Sequence, residues 1–212
     1  QNAKPRHKRV DFPGGYYDGE VEVHGLPNGH GVITTKDSRY EGLFILGQRQ
    51  GYGIEDFGNG GTYHGEFYAG ERHGQGSYLF PDGSVYEGGW SNGHEDGFGI
   101  ACYSNGARYE GEFLDGQRHG DGKLFSADGA VITGIWLEGD LTWGSVVFPN
   151  SETYEGEVAH NLRNGEGRMQ YLDGSVYEGC WKDDMRDGPG WLALSDGSLV
   201  EGDWSQDIFI DV

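Results

Sequence analysis

The side chains able to do chemistry here are a few histidines, two cysteines and many carboxylates, and their spacing limits what each can do. His73 and His119 occupy equivalent places in "GERHGQG" and "GQRHGDG", 46 residues apart. Four sheet strands at about 4.8 Å each separate them by about 19 Å, too far to share a metal bound about 2.1 Å from each ligand. A metal site would need a second chain. Cys102 and Cys180 have no CxxC partner and no patterned histidine beside them, so no activated thiol is expected. "GDGKLFSADG" sets Lys123 after a glycine pair, but no helix follows to turn its N-terminus toward a phosphate. Glu110 and Glu112, Glu155 and Glu157, Glu201 and Asp203 have the spacing of acid–base pairs. They recur along the chain, as a solvated face does and a single active site does not. With no Ser-His-Asp arrangement either, the expectation is a chain that is not an enzyme, with no catalytic residues, no cofactor and no metal.

Composition narrows the elements that carry these groups. Glycine makes up 41 of 212 residues, against a usual share of roughly 7%. Interior glycines cost a helix about 1 kcal/mol each, so ordinary helices are excluded. The 6 Trp, 13 Tyr and 10 Phe argue equally against disorder. The net charge is −20. Four of the 15 Lys and Arg lie in "QNAKPRHKRV", leaving 11 basic and 35 acidic side chains elsewhere, a net of −24. Such a body repels nucleic acid and anionic lipid, so no nucleic-acid partner is expected and direct lipid binding is disfavoured. Two cysteines make no disulfide framework and suit a reducing compartment. No run of 18 apolar residues and no signal-peptide pattern is present. The start at Gln1 and the stop soon after a repeat begins read as a fragment of a longer chain.

The carboxylates recur because the chain repeats. Tyr-x-Gly begins at Tyr17, Tyr40, Tyr63, Tyr86, Tyr109, Tyr154 and Tyr177, with weaker copies at Ile132 and Val200. The spacing is 23 residues throughout except for one interval of 22. Within each copy the Tyr, the Gly two residues on and a bulky residue at the fourth place obey the strand period of two. One face is therefore aromatic and glycine, the other acidic. A glycine between two aromatics leaves room for a ring to lie flat on backbone. Glycine-rich turn signals follow, then a second short strand such as "SYLF", then Asp-Gly or Asn-Gly, the strongest short hairpin signal. Each unit is one hairpin, too small to bury a core alone, so neighbours must stack.

Tyr-Glu-Gly starts at this period with a closing Asp-Gly resemble the MORN repeat (membrane occupation and recognition nexus) from about Tyr17 to Trp204. The resemblance implies an all-β fold, an elongated twisted antiparallel meander of about nine hairpins. Two strands per repeat give a length on the order of 80–90 Å. The expected organisation is a basic N-terminal tail or linker over 1–14, the array over 15–204 with an irregular repeat at 132–153, and an apolar C-terminal cap, "IFIDV", within 205–212. Leu141 to Asn150, where one residue and the glycine pair are lost, is the expected bend.

An array of this kind is expected to hold partners. The aromatic face supplies the candidate partner groove, Tyr40, Phe44, Tyr63, Phe67, Tyr86, Trp90, Tyr109 and Phe113, although core packing competes for each ring. The candidate homodimer interface is Tyr154, Tyr177, Trp181, Trp191, Trp204, Ile208 and Phe209. The resemblance implies a scaffold for protein partners in a cytoskeletal or membrane-associated complex, in the cytoplasm or at the inner face of a membrane. The alternatives are a regulatory or substrate-positioning arm of a methyltransferase or phosphoinositide kinase, or a lipid-binding module.

Overall fold

The computed structural model describes residues 6–210. Among them it forms 19 strands and no helix, so no helix is long and apolar enough to cross a membrane. The chain divides into two compact units, Gln1–Ser104 with Leu114–Gly116, and Asn105–Phe113 with Gln117–Val212. The first contains β1 (Arg6–Phe12), β2 (Gly15–Val21), β3 (Pro27–Thr35), β4 (Ser38–Ile45), β5 (Gln48–Phe57), β6 (Thr62–Tyr68), β7 (Glu71–Leu79), β8 (Val85–Ser91) and β9 (His94–Cys102). The second runs from β10 (Arg108–Leu114) through β11 (Gln117–Phe125), β12 (Val131–Leu137), β13 (Asp140–Val147), β14 (Thr153–Ala159), β15 (Leu162–Gln170), β16 (Val176–Lys182), β17 (Met185–Ala193) and β18 (Leu199–Ser205) to β19 (Ile208–Ile210). Within each unit consecutive strands pair antiparallel, from β1 to β9 and from β11 to β19. This is the all-β hairpin meander that the repeat implied.

Local chemistry explains the turns. In the Leu46–Gly47, Ala69–Gly70 and Asn92–Gly93 turns both residues have positive φ, as in Ala69 (50°) and Gly70 (91°). That is the two-residue hairpin turn whose twist matches the strands. In later repeats the glycine is replaced by Asn161, Asp184 and Asp207, held at 62–69°. The Asp-Gly dipeptides do a different job. Asp82–Gly83 sits in a longer loop closed by Phe80 N to Ser84 O at 2.8 Å, with Asp82 accepting from Ser84 N at 2.9 Å. The stretches expected as glycine-rich turns, such as "GERHGQG", are strand: β7 already begins at Glu71, and its register shifts opposite Gly65 and Glu66.

Glycine faces glycine across successive strands, Gly42 to Gly53, Gly53 to Gly65 and Gly65 to Gly76 in the first unit, Gly156 to Gly167 and Gly167 to Gly179 in the second. The reason is the tyrosine ring above them. A Cβ at Gly53 would lie 2.5 Å from Cε2 and 2.6 Å from Oη of Tyr40. With no Cβ there, the ring lies flat across the pair and its hydroxyl donates to the carbonyl three residues on. Tyr17 reaches Glu20 O at 2.7 Å, Tyr63 reaches Glu66 O at 3.0 Å and Tyr154 reaches Glu157 O at 2.7 Å. Rings of adjacent repeats then meet edge to face, as Tyr40 on Phe67 at 4.8 Å and Tyr63 on Trp90 at 5.0 Å. Such pairs add roughly 0.5–1.5 kcal/mol beyond the area they bury.

Three regions lie outside the regular repeat. Residues 6–12 of the predicted basic tail form strand β1, paired with β2 from Arg6–Val21 to Phe12–Gly15; residues 1–5 lie outside the described ones. Backbone pairing supplies there what composition could not show. At the expected bend, β13 keeps its ladder to β14 from Trp143–Glu157 to Val147–Thr153. Leu141 is buried, with Cδ1 against Gly134 and Gly144, filling the place a tyrosine ring takes elsewhere. At the C-terminus Phe209 of β19 caps Gly202 and packs on Trp204 at 5.3 Å; residues 211 and 212 lie outside the described ones.

Candidate functional site

The two faces of the sheet exchange their expected roles. Tyr40, Tyr63 and Tyr109 are 0% exposed, Phe44, Phe67, Tyr86 and Trp90 at most 3%, and Phe113 7%. These eight residues are core, and they do not form the partner groove expected of them. Rings of adjacent repeats cover one another, as Tyr40 with Phe67 and Tyr63 with Trp90, and Arg49, Arg72 and Arg118 stand over several of them. Burial pushes the hydroxyl of Tyr40 up to about 12, against the partly opposing pull of Arg49. Tyr63, Tyr86 and Tyr154 are pushed higher, again chiefly by burial.

The covering arginines are the feature that sequence reasoning missed. Arg72 stands 4.5 Å from the Trp90 ring and donates through Nη2 to Gly93 O at 2.7 Å. Arg118 does the same on Trp136 and Gly139 O, and Arg163 on Trp181 and Asp184 O. Each clip joins one hairpin to the turn of the next, 21 residues on. The signal is present in the sequence as Arg49, Arg72, Arg118, Arg163 and Arg186 in register. Glu95 holds the position in the fourth repeat.

Of the expected dimer residues, Tyr154, Tyr177, Trp181 and Trp204 are also core. Burial raises Tyr177 to about 12. Trp191 and Phe209 are half-buried and Ile208 is exposed. Both cysteines are free thiols. Burial, then Glu166 and Glu157, raise the Cys180 thiol above its ordinary range. Among the described residues no three of His, Cys, Asp and Glu stand close enough to hold a metal.

The open site lies on the opposite face, in the second unit. There the backbone of Gly156, Gly167, Gly179, Gly190 and Gly202 floors a trough of about 760 Å³. One wall follows the strand register, Glu155 beside Arg168, Arg168 beside Glu178, Glu178 beside Trp191, and Trp191 beside Glu201. The other carries Trp143, Glu166, Cys180, Pro189 and Asp203. Five carboxylates thus meet one guanidinium, whose Nε stands 3.7 Å from Glu178 Oε2. The period of two puts tyrosines on the far face and these side chains here. Its charge and open shape suit a positively charged ligand.

The MORN repeat pattern matches residues 17–38, 40–62, 63–85, 86–108, 109–131, 154–176 and 177–199. The chain belongs to the MORN-repeat family. The unmatched stretch from 132 to 153 is the one in which Ile132 and Leu141 replace the tyrosine arrangement. No curated protein matches the chain. Among solved structures it is similar to the TCP10 domain of Danio rerio CPAP, at 14% identity and TM-score 0.49, covering 97% of this chain and 99% of that one. The same domain in complex with a Danio rerio STIL peptide gives 12% and 0.48 over 94% and 100%. The SAS-4 TCP domain of Drosophila melanogaster, in complex with a proline-rich motif of Ana2, gives 15% and 0.44 over 72% and 83%. None of these likenesses bears on which MORN residues act here.

Proposed function

We propose that this MORN array is a non-enzymatic scaffold that holds protein partners along its acidic face and dimerises through its C-terminal end, within a cytoskeletal or membrane-adjacent assembly in the cytoplasm. The acidic trough carries the reading. It is a built, solvent-open surface with recognition groups and no catalytic constellation, while the aromatics on the other face are consumed by the core.

The edges support the dimer. β1 presents Arg6, His7, Lys8 and Arg9, the cationic guard that discourages strand addition. β19 offers only Ile208–Ile210, with Ile208 69% exposed, and among the described residues it pairs with β18 alone. Two such edges meeting antiparallel make an isologous contact, the commonest closed solution. Light scattering on a size-exclusion column over a hundredfold concentration range tests it. A mass of twice 23.3 kDa is expected, reduced to one chain by Ile208→Pro. A single-chain mass at every concentration overturns the dimer.

A further inference from the structure

We infer that the trough of the second unit binds a segment of a partner protein in the polyproline II conformation with a basic residue at every third position. The inference rests on the scaffold reading and gives its partner a chemistry. Charge complementarity selects the sign, because five carboxylates against Arg168 leave the walls at −4.

The spacing selects the conformation. Glu155, Glu178 and Glu201 stand on β14, β16 and β18, alternate strands of one wall. Two strand separations of about 4.8 Å put successive carboxylates about 9.6 Å apart along the trough. A polyproline II helix has three residues per turn and rises about 3.1 Å per residue, so its positions i and i+3 share one face about 9.3 Å apart. A Lys-x-x-Lys-x-x-Lys segment therefore presents one ammonium to each of the three carboxylates without leaving register. An α-helix, at about 5.4 Å per turn, does not match this spacing.

The remaining lining suits the same ligand. Trp191 stands between Glu178 and Glu201 in the wall, and Trp143, 43% exposed, lies on the opposite side. Aromatic surfaces of this kind accept proline rings and the faces of cationic side chains. The floor is glycine backbone, so nothing projects upward to exclude a ligand running across the strands. The first unit lacks the combination. On the same face it carries exposed Tyr52 and Phe98 with fewer carboxylates between them.

The probes are two fluorescein-labelled nonapeptides of identical composition, "KPPKPPKPP" and "KKKPPPPPP", titrated with the intact chain and read by anisotropy at low salt. The spaced peptide is expected to bind at least fivefold more tightly than its clustered isomer. Glu155→Gln combined with Glu201→Gln is expected to weaken it at least tenfold. Trp191→Ala is expected to weaken it severalfold, and Glu87→Gln, the same charge change on the first unit, to leave it within twofold. Circular dichroism confirms that each variant is folded, and two independent sets of wall variants guard against loss of fold in either. Equal binding of the isomers, no binding, or indifference to the wall variants overturns the inference. Tighter binding of a peptide of residues 1–10 also overturns it, by assigning the trough to a second copy. Since the dimer is read by light scattering, failure of the unmodified chain to bind the spaced peptide while the dimer forms refutes the trough's ligand and leaves the C-terminal dimer standing.

Discussion

Replacing Gly53 with Ala tests the reason given for the glycine ladder. A Cβ at that place falls 2.5–2.7 Å from Cε2, Oη and Cζ of Tyr40, and the ring has nowhere to retreat because it is fully buried. It must lift, losing its hydroxyl bond to Leu43 O at 3.2 Å and its edge-to-face contacts with Phe44 at 5.2 Å and Phe67 at 4.8 Å. Overpacking costs about 1–3 kcal/mol, the hydrogen bond about 0.5–1.5, and the ring pairs about 0.5–1.5 each. Because lifting the ring is the common cause and only part of each contact is lost, about 2–4 kcal/mol is expected. Tyr40→Ala alone should cost about 3–5 kcal/mol, as for other large buried aromatics. In that background the obstacle is gone, and Gly in a strand is otherwise worse than Ala by about 0.5–1 kcal/mol. The second substitution should then cost less than about 1 kcal/mol, a coupling of about 1–3 kcal/mol between the sites. Urea unfolding of all four proteins, followed by far-ultraviolet circular dichroism with slopes compared, measures it. A Gly53→Ala cost above 2 kcal/mol that persists without the ring refutes the steric argument.

Four further outcomes follow from the same structure. Tyr17, Tyr40 and Tyr177 are raised from 10.0 to about 12 by burial, so the neutral hydroxyl is the form that stabilises the fold. Their contribution is complete below pH 10 and is lost as pH rises through 12. A late part of the 295 nm absorbance rise should therefore coincide with loss of structure, whereas ionisation of every tyrosine near pH 10 in folded protein contradicts the buried rings. Arg72→Ala should cost about 1–3 kcal/mol by removing the bond to Gly93 O and the Trp90 stack. Glu95→Arg, whose site stands 21 residues before the Gly116 carbonyl as Arg72 stands before Gly93, should gain about 1 kcal/mol in thermal unfolding; a loss counts against the clip. Asn161→Gly removes a side chain from a φ of +62° and should raise stability by about 0.5–1 kcal/mol, read from the urea midpoint.

The repeat was legible because its causes are local. Tyr63, Gly65 and Phe67 must share a face whatever surrounds them, since side chains alternate along any strand. Glycine beside a tyrosine of fixed register already announces that a ring lies on backbone. The hairpin order followed from the 23-residue period, and the irregular repeat from the loss of Tyr at Ile132.

What stayed hidden depends on atoms brought from other strands. Gly53 touches Tyr40 only after β5 pairs with β4, and Arg72 reaches the Gly93 carbonyl across a whole repeat. Burial was the decisive case. The period of two separates an aromatic face from an acidic one but says nothing about which face is covered. Chain order by itself determined the all-β meander and the alternation of its faces. Only the tertiary structure, by stacking the rings of adjacent repeats and laying an arginine over most of them, decided that the aromatic face is the core and that the acidic face is left open to solvent.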